Sequence, residues 1–196
     1  MSRILITGAG GYLGSQLVAR LAALPDEQRP EIIVAHDIRE PKERLAGVSY
    51  AVADIRAPGM ADIIATHRID TVVHLASIVT PGKNSRREFE YDVDVNGTRN
   101  VLQACVRHGV RRTVVSSSGA AYGYHADNAP WLPEDIPLRG HEVFAYSFHK
   151  RLVEDMPPDS RTSPPAPEHV ARRLRTLQRP PGPHQDNHRF TQLPPP

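Results

Sequence analysis

Two hydrophobic periods take turns along the first three quarters of the chain. Short apolar runs without strict alternation fall at 3–7, 31–36, 48–52, 70–75 and 112–117 and read as strands buried on both faces. Between them, apolar residues recur at helical spacing. Leu13, Leu17, Leu21 and Leu24 line one stripe of a helix over 12–24, and further helices are predicted over 58–66, 85–108 and 142–155. Gly109 ends the long third helix as a C-terminal cap, after Arg107 and His108 in its last turn. Strands separated by helices predict an α/β fold with a doubly wound parallel sheet. Five strands in the order 3-2-1-4-5 would place a ligand crevice at the switch point between the first and fourth.

This alternation stops near Met156. Pro157 and Pro158 block the last helix, because proline lacks the N–H and clashes with the preceding turn. Residues 156–196 hold 11 of the 19 prolines, with 6 Lys+Arg against 3 Asp+Glu, whereas residues 1–155 hold 18 against 19. The segment shows no strand pattern and too little apolar surface to offset its ordering entropy, so disorder is expected. The chain therefore divides into a folded unit, 1–155, and a Pro/Arg-rich tail, 156–196. The fifth strand would then form a sheet edge. His184 and His188 have metal-like spacing, but a proline-broken tail is a poor place for a preorganised site, and no metal is expected.

Over the whole chain the formal net charge is +2, with 39% hydrophobic residues. Neither value points to a nucleic-acid or membrane partner. Without a signal peptide or an apolar run of transmembrane length, a cytoplasmic location is the expectation. Cys105 lies in an apolar helix and reads as a small core residue.

Candidate chemistry begins where the first strand meets the first helix, at Thr7-Gly8-Ala9-Gly10-Gly11-Tyr12-Leu13-Gly14. Glycines let the backbone turn sharply, approach a pyrophosphate and pack the helix closely on the strand, so the phosphates meet the free N–H groups of the helix N-terminus. The spacing is GxxGxxG. Asp37 ends the second strand, where a carboxylate can accept hydrogen bonds from an adenosine ribose. That carboxylate would repel a 2′-phosphate, so NAD is favoured over NADP, although Arg39 two residues on could accommodate the phosphate. Asp54-Ile55 follows the third strand, with Asp54 able to hydrogen-bond an adenine amino group. His74-Leu75-Ala76-Ser77 ends the fourth with small residues over which a dinucleotide could lie. The bland alternatives are a turn role for Asp54 and a core histidine at His74.

Tyr146 and Lys150, four apart on the last helix, project from one face. A phenol has a pKa of about 10, and a neighbouring ammonium is expected to lower it toward the working range. Tyr146 could then take a proton from a substrate hydroxyl while hydride leaves the same carbon. Ser118, in the serine run after the fifth strand, could hold the substrate oxygen. YxxxK alone also occurs on many structural helices; its order after the glycine turn and serines favours chemistry.

Together these residues resemble the extended short-chain dehydrogenase/reductase family, in its NAD-dependent epimerase/dehydratase branch. The match runs over about residues 3–155 and includes Gly97-Thr98-Arg99-Asn100 and Tyr122-Gly123. The resemblance implies a Rossmann domain that binds NAD through Gly8, Gly11, Tyr12, Leu13, Gly14, Asp37, Asp54, Ile55, Leu75, Ala76, Tyr146 and Lys150. It implies Ser118, Tyr146 and Lys150 in catalysis, a nucleotide sugar or related polyol as substrate, and a homodimer through the long helix. Members commonly carry asparagine where Asp94 stands. They also continue into further strands and a C-terminal substrate domain, which the pattern here lacks. A truncated or frameshifted C-terminus is the expectation, and with it a second reading of the chain as a non-catalytic NAD-binding fragment or interaction module.

Overall fold

The computed structural model describes residues 2–41, 43–156 and 168–174. Six parallel strands form one sheet in the order β3-β2-β1-β4-β5-β6: β1 (Arg3–Thr7), β2 (Ile32–Asp37), β3 (Ser49–Val52), β4 (Thr71–His74), β5 (Arg112–Ser118) and β6 (Glu168–Leu174). The helices are α1 (Tyr12–Ala22), α2 (Gly59–Thr66), α3 (Arg87–Tyr91), α4 (Thr98–Arg107) and α5 (Ala145–Glu154). The first five strands follow the predicted order, and their bounds agree with the apolar runs to within a residue or two.

Neighbouring residues of a strand serve opposite faces, which is why the runs lack alternation. Leu5 and Val34 pack with Met60, Ile64, Val72, Val101 and Cys105 on one side. Ile6, Ile33 and Ala35 pack with Val18 on the other. Each such fully buried side chain contributes roughly 1.5–3 kcal/mol of transfer free energy.

The long helix predicted over 85–108 is interrupted. Between α3 and α4 runs a π-helical segment, Asp92–Gly97. Apolar spacing is almost unchanged by one wider turn, so the periodicity did not reveal it. Gly97 ends that segment against the loop after β3, where an added Cβ would lie 2.7 Å from Ile55 Cδ1. Asn100 then donates to the carbonyls of Ile55 (2.7 Å) and Ala57 (2.9 Å), fixing the same loop.

At the other sheet edge the sequence-based expectation is corrected. The composition of 156–196 predicts no strand and leaves the fifth strand unpaired, yet β6 runs parallel along β5 in continuous register from Arg112↔Glu168 to Ser118↔Leu174. Ladder pairing is a backbone property, and the N–H and C=O groups of β5 need partners whatever side chains the partner carries. The remainder of the proline-rich segment, with His184, His188 and the disorder expected of it, lies outside the described residues. Among the described residues no helix is long and apolar enough to cross a membrane, and no group of three metal-ligating side chains comes together.

Candidate active site

The C-terminal ends of β1, β2 and β4 form one border of the site. Gly8 has φ +69°, which disfavours any residue with a side chain, and an added Cβ would lie 2.7 Å from the Ala76 nitrogen. A Cβ on Gly14 would overlap the Gly8 carbonyl, so this glycine lets α1 press onto the turn. Gly11 caps α1 without a side-chain hydrogen bond, which leaves N–H groups of its first turn without a capping side chain. Tyr12 and Leu13 begin that turn. Asp37 is aimed at the turn: its carboxylate accepts from the Gly10 amide (2.9 Å) and the Arg39 amide (3.2 Å). The Arg39 Nε lies 4.0 Å from the same carboxylate, and its side chain is exposed. This glycine cradle, with an acidic side chain held at its lip, fits a dinucleotide carrying a free ribose hydroxyl.

Asp54 sits beside Ile55 after β3, as expected, but it is already engaged. Arg56 binds it in a fork, with Nη2–Oδ2 at 2.6 Å, and also reaches Asp92 at 2.7 Å. The hydrogen bond from Arg56 holds the Asp54 carboxyl below the usual carboxylate range. Leu75 donates its amide to the Thr7 carbonyl (3.1 Å), and Ala76 to the Thr7 hydroxyl (3.4 Å), so the end of β4 is tied to the glycine strand.

His74 is a core histidine, and its protonation follows from its neighbours. The Thr98 hydroxyl donates to the Asp94 carbonyl at 2.6 Å, so His74 Nε2 (2.9 Å away) must donate to Thr98. His74 Nδ1 then accepts from the Thr7 hydroxyl at 2.7 Å. Burial, with help from Lys150 and His36, pushes its pKa down to about 3. In the neutral ring that this favours, Nε2 carries the hydrogen and Nδ1 accepts from Thr7. Cys105 is likewise a core residue, its thiol pushed up to about 12 by burial.

The second border comes from β5 and α5. Ser118 ends β5 and caps a short 3-10 turn, Gly119–Tyr122, through its hydroxyl on the Ala120 amide (3.2 Å). Ser147 donates to the Ala120 carbonyl at 2.6 Å and so pins α5 to that turn. Tyr146 and Lys150 come together as their spacing predicts: Lys150 Nζ lies over the Tyr146 ring, 5.5 Å from its centroid, and donates to the Ser116 carbonyl at 2.9 Å.

Their electrostatics differ from expectation. The pKa of Tyr146 is raised, not lowered: burial dominates, Asp94 and Tyr124 add to it, and the Ser118 hydrogen bond only partly offsets it. Lys150 is itself nearly buried, and burial lowers its pKa against the opposing pull of Asp94 and Glu154. Spacing on a helix reports that two groups meet; it carries no information about how much water they lose.

Sequence reasoning missed His149, and noted Asp94 only as a departure from the family's asparagine near the active-site helix; the structure brings the two together. Asp94 accepts from Ser77 and Ile78, and His149, between Tyr146 and Lys150, faces Asp94 at 3.0 Å. The departure from asparagine at Asp94 was the one visible signal.

Comparison with known proteins gives the family and the fold. The chain is 36% identical to a UDP-glucose 4-epimerase of Halalkalibacterium halodurans over 123 residues, which cover 61% of this chain and 36% of that protein. It is similar to the structure of a short-chain dehydrogenase/reductase superfamily protein from Agrobacterium tumefaciens with bound NAD (28% identity, TM-score 0.68), covering 87% of this chain and 48% of that one. The structure of MoeE5 in complex with UDP-glucuronic acid and NAD is similar at 27% identity and TM-score 0.68, with 87% and 52% covered. The chain thus spans between about a third and a half of the length of these proteins. The model of the NAD dependent epimerase/dehydratase family matches residues 4–163, and the chain belongs to that family.

Proposed function

We propose that this chain carries the nucleotide-binding and proton-transfer half of an NAD-dependent epimerase/dehydratase-type oxidoreductase acting on a nucleotide sugar or related polyol. The observation that carries this reading is the meeting of Ser118, Tyr146 and Lys150 at the C-terminal end of β5, the same end of the parallel sheet as the glycine cradle after β1, with Lys150 Nζ over the Tyr146 ring. Both ligand classes are present in similar structures, NAD in the Agrobacterium protein and NAD with UDP-glucuronic acid in MoeE5.

NAD, when bound, supplies the acceptor for a hydride. Gly8, Gly11, Tyr12, Leu13 and Gly14 would hold its phosphates, and Asp37 its adenosine ribose. Asp54 and Ile55 would meet the adenine, while Leu75, Ala76, Tyr146 and Lys150 would line the remainder. Ser118 would orient the substrate oxygen. Tyr146 would take the hydroxyl proton as hydride leaves the substrate carbon and give it back to the oxygen when hydride returns; its raised pKa makes the resting group a phenol, the form for the return step, so the oxidising step has to begin from the phenolate.

The test is calorimetry on the full chain with NAD, NADP and the Asp37→Ala variant, followed by a panel of UDP-sugars read by nicotinamide reduction. Saturable NAD binding that weakens in Asp37→Ala is expected. In Tyr146→Phe, binding should persist while hydride transfer drops by about 10²–10⁴-fold, the usual worth of a general acid–base. Absence of NAD binding would sink the proposal. A second reading, an NAD-binding module without catalysis, draws on burial holding Tyr146 as a phenol, which is not the proton-accepting form; NAD binding without turnover on any sugar would favour it.

A further inference from the structure

Once Ser118, Tyr146 and Lys150 are assigned, a buried polar cluster centred on Asp94 is left over. It is 3% exposed and sits in the π-helical segment between α3 and α4. Oδ1 accepts from the Ser77 hydroxyl (3.0 Å) and the Ile78 amide (2.8 Å), and Oδ2 faces His149 Nδ1 at 3.0 Å. A carboxylate only accepts, so the hydrogen lies on Nδ1. His149 is 1% exposed; its other nitrogen, Nε2, has no hydrogen-bond partner among the described residues. The edge-on Tyr91 ring packs against the imidazole at 5.6 Å. Among the described residues, the bond to Asp94 is thus the polar tether that orients this ring.

Ser77 and Ile78 continue the end of β4, where the dinucleotide is expected, and His149 lies on α5 between Tyr146 and Lys150. One carboxylate on a third element joins the two borders of the site. We propose that Asp94 and His149 form a buried clamp that positions the Tyr146–Lys150 pair against the end of β4. The inference rests on the site assignment given under the proposed function and adds two positioning residues to it.

The clamp also places a negative charge inside the site. The titratable groups facing it are His149, Tyr146 and Lys150 from α5, His74 from β4, and Tyr91 across the imidazole; Glu154 acts on Lys150 in the same sense. Asp94 favours the Lys150 ammonium against burial and the Tyr146 phenol over its phenolate. Asparagine at this position would keep an acceptor for Ser77 and Ile78 and remove the charge.

The experiment is an ultraviolet titration of phenolate absorbance on the full chain, with Tyr146 isolated as the difference from Tyr146→Phe. In Asp94→Asn the Tyr146 transition should move to lower pH. In His149→Gln, which retains a donor group but not the imidazole, it should move less. An unmoved transition in Asp94→Asn, or an equal shift in both variants, would overturn the clamp. Nitrogen-15 NMR of the unmodified chain provides a check that needs no variant to fold. A hydrogen on His149 Nδ1 is expected, and a bare Nδ1 would overturn the proposal. NAD calorimetry on the same samples is read separately: its failure counts against the proposed function, while the titration and the NMR still decide the clamp.

Discussion

At the scale of single residues, histidines carry the pH response of this fold. His74 has a folded pKa of about 3 against an ordinary value of 6.5, and His36 is also lowered by burial. His36 is 1% exposed with neither ring nitrogen bonded to a side chain among the described residues, so burial disfavours its charged form, against the opposing pull of Asp37 and Asp54. The sign follows from proton counting. Between about 3 and 6.5 the unfolded chain binds a proton at His74 that the folded chain refuses, so stability is complete above 6.5 and falls as the pH drops through that window. One such group gives a slope of up to about 1.4 kcal/mol per pH unit. Urea midpoints measured at several pH values between 7 and 4 should decline steadily. His74→Gln, which can still bridge one threonine hydroxyl and does not titrate, should start from a lower stability at pH 7 and show a shallower decline. An unchanged slope in that variant would mean that other groups carry the acid response.

At the scale of elements, the long helix is held by how closely it can approach the loop after β3. Gly97 allows this approach, since an added Cβ would lie 2.7 Å from Cδ1 and 2.8 Å from Cγ1 of Ile55. Gly97→Ala should therefore destabilise the chain by about 1–3 kcal/mol, as overpacking does, despite alanine's better helix propensity. Ile55→Ala creates a cavity by itself, but in the double variant it removes both clashing atoms, so the two losses should add to less than their sum in a thermal or urea double-mutant cycle. Simple additivity would show that Gly97 matters for some reason other than this contact. The same helix shows what could be read from sequence. Five strands, their order and the glycine turn were legible because each depends on local period or on a residue type with one conformational role. The Tyr146–Lys150 pair was legible because helical spacing is rigid. The π-helical segment was not, because one wider turn barely alters apolar periodicity, and with it went the positions of Asp94 and Thr98. The fork of Arg56 onto Asp54 and Asp92 and the raised pKa of Tyr146 depend on packing between distant segments, which no local pattern encodes.

At the scale of the molecule, the sheet ends on a strand that composition argues against. β6 pairs with the backbone of β5 from Arg112 to Ser118, and among the described residues it is the last strand of the sheet. Ser116 and Ser118 belong to that stretch, so the carbonyl that receives Lys150 and the hydroxyl proposed for catalysis are both held on a strand that β6 covers. Proline separates the ladder's contribution from that of the side chains. Along an edge strand successive N–H groups point alternately toward the neighbour and toward solvent, so of Val170→Pro and Ala171→Pro, one removes a ladder hydrogen bond and the other removes an N–H that faces outward. The two variants should behave differently. The one that breaks the ladder should expose the β5 edge, raise hydrogen exchange at 112–118 and promote concentration-dependent association in sedimentation, while the other should stay near the unmodified chain. If β6 were dispensable to the sheet, both variants would match the unmodified chain in exchange and sedimentation. The pairing drawn between Arg112–Ser118 and Glu168–Leu174 would then not be what holds β5 in place.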